Sequence, residues 1–242
     1  IKPEATGVVQ EQDLTALDVL AARADAVGAE LLVEGRDFAV EPRELGVGGQ
    51  RLSVRGPRAR YTDLALPLFG EHQAHNAAAA IAACEAFLDR ELDSESLRHA
   101  LAGATSPGRL EAVSRHPLVV LDGAHNPHGA RALAAALPEA FLWDRLHLVV
   151  GVLSTKDAAG IVEPLVAPAD AIYACRNASP LALAEEELAL ACRRAGAESV
   201  SEFATVADAV AAAEAAAVEE DLILVTGSLY TVADARPRYV KE

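Results

Sequence analysis

The chain has 242 residues, of which 52% are hydrophobic and only 4% aromatic, and it carries a formal net charge of −15. That is apolar material for one large or two small domains, and it excludes global disorder. The acidic balance, with Lys2, Lys156 and Lys241 as the only lysines, excludes a general binder of nucleic acid or anionic membrane, since the phosphate interaction that dominates such binding would be repulsive.

In chain order, Ile1-Lys2-Pro3 reads as the middle of a longer protein, in a sequence that contains no Met. Gly7-Val8-Val9 is a short strand candidate. Asp13 is placed to cap a helix whose apolar residues Leu14, Leu17, Val19, Leu20 and Val27 recur at helical spacing up to Gly28. Three β candidates follow at Glu30–Val33, Asp37–Val40 and Gln50–Val54, and a fourth, Ala59–Leu64, pairs with the third across Gly56-Pro57 as a hairpin or meander. Gly46, Gly48 and Gly49 lie between strands with no helix after them, so they do not form a dinucleotide-binding fingerprint. Ala77–Leu88 predicts an Ala-rich buried helix and Ser94–Leu101 a second one. The Gly- and Pro-punctuated stretch 103–108 marks a domain boundary, giving domains 1–104 and 105–242.

Beyond it the pattern alternates. Strand candidates Leu118–Leu121, Leu146–Val150, Ala171–Ala174, Ser199–Phe203 and Leu222–Val225 are separated by helix candidates Pro127–Leu137, Lys156–Leu165, Leu183–Ala195 and Val206–Ala217. Near-continuous apolar strands separated by helices predict an α/β domain with a mostly parallel sheet and helices on both faces. Cys84, Cys175 and Cys192 are far apart and have no metal-ligand spacing. With no membrane-length apolar run and no secretory signal, they suggest a reduced, cytoplasmic protein.

Polar groups gather at the predicted carboxyl ends of the strands, where open α/β sheets bind ligands. Arg109 follows a Pro-Gly turn and is either a surface charge or a bidentate phosphate contact. Asp122 and His125, in Asp122-Gly123-Ala124-His125-Asn126-Pro127, either shape a turn or bind ribose hydroxyls and a carboxylate or acyl phosphate. Lys156 stands at a helix start, where its charge opposes the helix dipole; a ligand anion or the neighbouring Asp157 accounts for it. Ser228, in Thr226-Gly227-Ser228, is a turn residue or a carboxylate or phosphate ligand. Further upstream, His72 and Asn76 share a helix face, and an amide there either caps the helix or reads an adenine edge. No Gly-x-x-x-x-Gly-Lys-Ser/Thr phosphate loop and no metal-ligand cluster occurs.

Five motifs in order carry a resemblance. Leu66-Pro67-Leu68-Phe69-Gly70-Glu71-His72-Gln73 with Asn76-Ala77-Ala78, Ser106-Pro107-Gly108-Arg109, Asp122-Gly123-Ala124-His125-Asn126-Pro127-His128, Gly151-Val152-Leu153 before Lys156-Asp157, and Thr226-Gly227-Ser228-Leu229-Tyr230 together resemble the folylpolyglutamate synthase/dihydrofolate synthase branch of the Mur ligase family. The resemblance implies part of a central ATP-binding domain, built as a short β meander plus helices, followed by a Rossmann-like C-terminal domain. It implies an ATP- and Mg2+-dependent amide ligase that adds L-glutamate to dihydropteroate or folate through an acyl phosphate. By motif position, Asn76 would contact adenine, Arg109 the phosphates and Asp122 the ribose. His125 and Ser228 would lie near glutamate, and Lys156 near the acyl phosphate. The phosphate loop and metal ligands would lie upstream of these residues. The chain is then expected to be inactive alone and a monomer when full length. The competing expectations are another Mur-type amino-acid ligase and a non-catalytic nucleotide-binding or interaction module.

Overall fold

Thr6–Val9 (β1) and Glu30–Val33 (β2) pair in parallel, Thr6 opposite Glu30 and Val9 opposite Val33, with the helix Leu14–Val27 (α1) connecting them. This is a βαβ unit, so Glu30–Val33 is not part of the meander that local turn chemistry suggested. A parallel partner 24 residues upstream leaves no local signal, unlike a hairpin. The antiparallel sheet that follows consists of Ala39–Gly46 (β3), Gly49–Arg55 (β4) and Arg60–Leu66 (β5). Strand β3 runs past the predicted end at Val40. The register shifts between Val40 and Arg43, and this bulge accommodates Pro42, which has no N–H for a ladder bond.

Helix Glu71–Leu88 (α2) begins six residues before the predicted start at Ala77, and Ser94–Ala102 (α3) is capped by Asp93, which accepts the Ser96 N–H at 2.8 Å. Ala74, Ala77, Ala78 and Ala82 let α2 lie close on Phe38, Leu52, Val54, Tyr61 and Leu64. One charge enters this layer. Glu85 is fully buried; its Oε1 accepts the Tyr61 hydroxyl at 2.6 Å and its Oε2 the Arg58 N–H at 3.0 Å. Tyr61 in turn accepts the Leu92 N–H at 2.8 Å. Burial and the Glu85 carboxylate push the Tyr61 hydroxyl up to about 12.

The computed structural model describes residues 1–241, and its packing separates two units, Ile1–Thr105 and Ser106–Glu242. The second unit is built on a six-stranded sheet. Its elements are Glu111–Arg115 (β6), Leu118–Leu121 (β7), Pro127–Ala140 (α4), Leu146–Val150 (β8), Ala158–Val166 (α5), Ala171–Cys175 (β9), Glu185–Arg194 (α6), Val200–Phe203 (β10), Val206–Ala216 (α7), Leu222–Thr226 (β11) and Leu229–Ala235 (α8). The spatial order is β10-β9-β8-β11-β7-β6, parallel throughout except for β6, which runs antiparallel to β7 at the edge. Every residue of β8 and β11 is buried. Val119, Leu121, Val149, Ile223 and Val225 pack on one face with Val206 and Val210 of α7 and Val232 of α8. The alternate residues point to the other face, where α4, α5 and α6 lie side by side.

This is the α/β architecture expected, with helices on both faces of a mostly parallel sheet. Strand β6 and helix α8 are additions. At the amino end of the sheet, the buried His147 ring bridges the Tyr173 hydroxyl and Asp221, each at 3.1 Å. Burial alone would raise the Asp221 carboxyl; the Val218 N–H and His147 outweigh it and hold it below its ordinary value. Among the described residues, no helix is long and apolar enough to cross a membrane.

Candidate functional site

Strand β11 enters the sheet between β7 and β8 although it comes last in the chain. Three carboxyl ends therefore lie side by side, and each is followed by polar residues. The Asp122 N–H donates to Val225 O at 3.0 Å and the Gly151 N–H to Thr226 O at 3.1 Å, which continues the ladder to the point where the strands diverge. A crevice outside the carboxyl ends of such strands is the usual ligand site of open α/β sheets.

Asp122 is 5% exposed. Its Oδ2 accepts the Leu110 N–H at 2.9 Å and its Oδ1 the Ala124 N–H at 2.8 Å. Burial pushes its carboxyl above the ordinary value, against those two N–H donors and the nearby Arg109 and His125. Asp122 thus ties the Ser106–Leu110 turn to the end of β7, and any ribose hydroxyl would have to use a remaining lone pair.

The turn is tied at other points as well. The Arg109 N–H donates to Ser106 O at 3.1 Å and the Gly123 N–H to Gly108 O at 2.8 Å. The Arg109 guanidinium passes directly over Gly123: a Cβ there would sit 2.6 Å from Arg109 Nη1 and 2.4 Å from Leu229 Cδ2. Only a glycine fits between that guanidinium and the first turn of α8.

His125 is half-buried, and its Nδ1 lies 2.8 Å from Gly123 O. A carbonyl only accepts, so Nδ1 carries the proton and Nε2 presents a lone pair when the ring is neutral. Asn126 caps α4 by accepting the Gly129 N–H at 2.8 Å, with Pro127 at the first helical position. Ser228 is 2% exposed and caps α8, its Oγ accepting the Tyr230 N–H at 3.1 Å. Beside it the Thr226 hydroxyl is fully buried and has no hydrogen-bond partner among the described residues.

Arg109, Asp122 and His125 are therefore drawn together around Gly123, with the Ser228–Leu229 helix start against them. Lys156 stands apart. Helix α5 starts at Ala158, two residues later than expected, with Asp157 as its cap accepting the Gly160 N–H at 3.0 Å. Lys156 thus precedes the cap and lies outside the helix; it is exposed, and its ammonium makes no ion pair among the described residues.

Asn76 lies in the other unit, exposed near the start of α2. Its Oδ1 accepts from Gln10 Nε2 at 3.0 Å and its Nδ2 donates to Gln73 Oε1 at 3.2 Å. His75 Nδ1 lies 2.5 Å from Glu34 Oε1. No group of three or more His, Cys, Asp or Glu that could hold a metal ion occurs among the described residues.

Three sets of supporting contacts have no counterpart in the sequence reading. Gln10 meets Asn76 from 66 positions away. Asn177 Nδ2 donates to Thr231 Oγ1 at 3.1 Å, and Thr231 Oγ1 donates to Gly151 O at 2.7 Å, fixing the loop after β8. Glu111 and Arg236, 125 positions apart, meet beneath the Arg109 turn. No local pattern announces pairs at such separations.

The chain is similar to known proteins along nearly its whole length. It is 38% identical, over 258 aligned positions, to the dihydrofolate synthase/folylpolyglutamate synthase of Mycobacterium tuberculosis, covering 99% of this chain and 53% of that protein. Its fold is similar to the M. tuberculosis folylpolyglutamate synthase complexed with ADP, with a TM-score of 0.93 and 38% identity over 98% of this chain and 55% of that one. It is also similar to E. coli FolC in complex with DHPP and ADP, with a TM-score of 0.85 and 30% identity over 98% of this chain and 53% of that one. The chain thus spans about half the length of the curated relatives it matches. Residues 108–229 match the family described as "Mur ligase, glutamate ligase domain", a span that opens on the Arg109 turn and closes at the start of α8, and on this ground the chain belongs to the Mur ligase family.

Proposed function

We propose that this chain is part of an ATP-dependent amide ligase that adds L-glutamate to dihydropteroate, to a folate, or to both. The observation that carries the reading is the convergence of Arg109, Asp122, His125 and the Ser228 helix start at the carboxyl ends of β7 and β11, in a chain 38% identical to a dihydrofolate synthase/folylpolyglutamate synthase. In such a reaction the γ-phosphoryl group of ATP passes to the substrate carboxylate, giving an acyl phosphate and ADP. The glutamate amine then attacks the acyl carbon, phosphate leaves with the C–O bond, and the amine loses a proton as the amide forms.

Each residue has a part that its surroundings suit. Arg109 offers a planar fork of N–H donors to a phosphate, and Asn76 an amide to the adenine edge. Asp122 holds the Arg109 turn and has lone pairs left for a ribose hydroxyl. His125, with its proton held on Nδ1 by Gly123 O, presents Nε2 to the incoming glutamate as hydrogen-bond acceptor or proton acceptor. Ser228 and the N–H groups of the α8 first turn suit a glutamate carboxylate, and the exposed Lys156 suits the acyl phosphate anion. Mg2+ would offset phosphate charge in this chemistry, but the described residues have no cluster to hold it. The protein is further proposed to be cytoplasmic and, at full length, a monomer.

The test is ATP-dependent ligation of glutamate by the full-length polypeptide, with dihydropteroate and tetrahydrofolate as alternative acceptors. One ADP released per amide formed is expected with at least one acceptor. No glutamate-dependent ADP release with either would overturn the reading, and turnover with a UDP-linked muropeptide instead would place the chain in another branch of the family. The 242 residues alone contain no phosphate loop and are expected to give no turnover.

A further inference from the structure

We propose that Glu111 and Arg236 form a positioning pair for Arg109, presenting its guanidinium and keeping it free for a nucleotide phosphate. The inference rests on the reading of Arg109 as a phosphate contact and goes beyond it, to what prepares that contact.

The turn that carries Arg109 holds an unusual backbone. Gly108 has φ 69° and Leu110, a non-glycine residue, φ 45°, a left-handed conformation that branched and bulky side chains rarely adopt. Such a conformation persists only where surrounding contacts over-determine it. The Leu110 N–H is held by Asp122 and its side chain is buried. Gly108 is held on both sides: its carbonyl accepts the Gly123 N–H, and its own N–H donates to Glu111 Oε2 at 2.8 Å. Val232 of α8 closes the third side, 3.0 Å from where a Cβ on Gly108 would sit.

Glu111 is in turn fixed by Arg236. Arg236 Nε lies 3.2 Å from Oε1 and 3.3 Å from Oε2 of Glu111, and Nη2 lies 3.1 Å from Oε1. Both side chains are largely shielded, so this is a fork-on-carboxylate contact rather than a loose surface pair.

The pair has an electrostatic consequence. Glu111 is two residues from Arg109 and is a ready competitor for its guanidinium. With the Glu111 carboxylate engaged by Arg236 and Gly108, and both oxygens of Asp122 engaged by backbone N–H groups, Arg109 makes no carboxylate ion pair among the described residues. Its guanidinium touches its own Gly108 carbonyl at a long 3.4 Å. An arginine held in a tied turn, near Asp122 but in no direct ion pair among the described residues, keeps its donors preorganised for an anionic ligand.

The experiment is steady-state kinetics with ATP as the varied substrate, on the full-length polypeptide and its variants. Arg109→Ala should raise the KM for ATP about thirtyfold and Glu111→Ala about tenfold, on the order of losing one charge-assisted contact and its preorganisation respectively. In both cases kcat should change less than KM. The deciding readout is coupling: in the Arg109→Ala background, Glu111→Ala should add little further loss. Arg236→Gln should raise the KM for ATP in the same direction, and Arg236→Lys should restore part of it, which keeps the proposal testable if Glu111→Ala fails to fold. An unchanged KM for ATP in both Glu111→Ala and Arg236→Gln would overturn the positioning role. So would a Glu111→Ala loss that persists in full without Arg109, since that is the signature of a merely structural effect. An unchanged KM in Arg109→Ala would overturn the phosphate reading itself and the proposal with it.

Discussion

In the 106–242 unit, β8 and β11 are buried along their whole length, whereas in the 1–105 unit neither β1 nor β2 contains a fully buried residue and α1 buries only Ala24. Leu14 and Val19 of α1 are largely exposed. Polar groups follow the same division. Asp122 and Ser228, at the ends of buried strands, are fixed by backbone N–H groups at 2.8–3.1 Å. Asn76, on an exposed helical turn, is held, among the described residues, by two other side-chain amides. A strand covered on both faces fixes its own end, so a side chain placed there is preorganised; a side chain on a helix surface depends on its neighbours.

Core truncations should separate the two regions most strongly. Leu224→Ala in β11 should lose roughly 2–5 kcal/mol of unfolding free energy in chemical denaturation, as for other fully buried leucines. Val8→Ala in the half-exposed β1 should lose about 1 kcal/mol or less. Equal losses would mean that the two regions are equally well packed. Asp122→Ala removes the acceptor of two buried N–H groups and should destabilise the second unit by on the order of 2–3 kcal/mol, with Asp122→Asn milder because one acceptor remains.

Within the first unit, the Glu85–Tyr61 contact gives a pH signature. The Tyr61 hydroxyl is raised from 10.0 to about 12 on folding. A raised folded value means that its contribution to stability is complete below pH 10 and is lost as pH rises from 10 towards 12. The difference in unfolding midpoint between wild type and Tyr61→Phe should therefore shrink across that window; a difference independent of pH would contradict the assignment. The smallest effect belongs to Lys156→Ala. Stability should change by no more than about 0.5 kcal/mol, as for other exposed side chains, while the rate of ATP-dependent ligation by the full-length polypeptide should fall if the proposed role of Lys156 holds.

Much of the second unit was legible from sequence because its strands are continuous apolar runs. Leu118–Leu121 and Leu146–Val150 were placed with the bounds observed. Strand β6 carries no clear strand signal because Glu111-Ala-Val-Ser-Arg is short and mixed, as suits an edge strand with one neighbour. Helix α8 carries little helical signal because its seven residues follow a Gly-Ser turn with little room for periodicity. In the first unit the β3 candidate stops at Val40, whereas the observed strand continues to Gly46 through a bulge at Pro42.

For the candidate site, the sequence named the residues at the strand ends, and the structure brings Arg109, Asp122 and His125 around Gly123. What sequence could not supply was the support beneath them. Asp122 clamping Leu110, Arg236 gripping Glu111, and Gln10 meeting Asn76 are contacts between distant positions. Each depends on tertiary packing rather than on any local pattern.

The polar groups at the carboxyl ends of β7 and β11 are proposed to form a nucleotide-phosphate site built around Arg109. Calorimetric titration of ADP into the full-length polypeptide and its Arg109→Ala variant tests it most directly. The variant should bind ADP about thirtyfold more weakly, the order expected for one charge-assisted phosphate contact, at an unchanged unfolding midpoint. Equal affinity in the two proteins would contradict it.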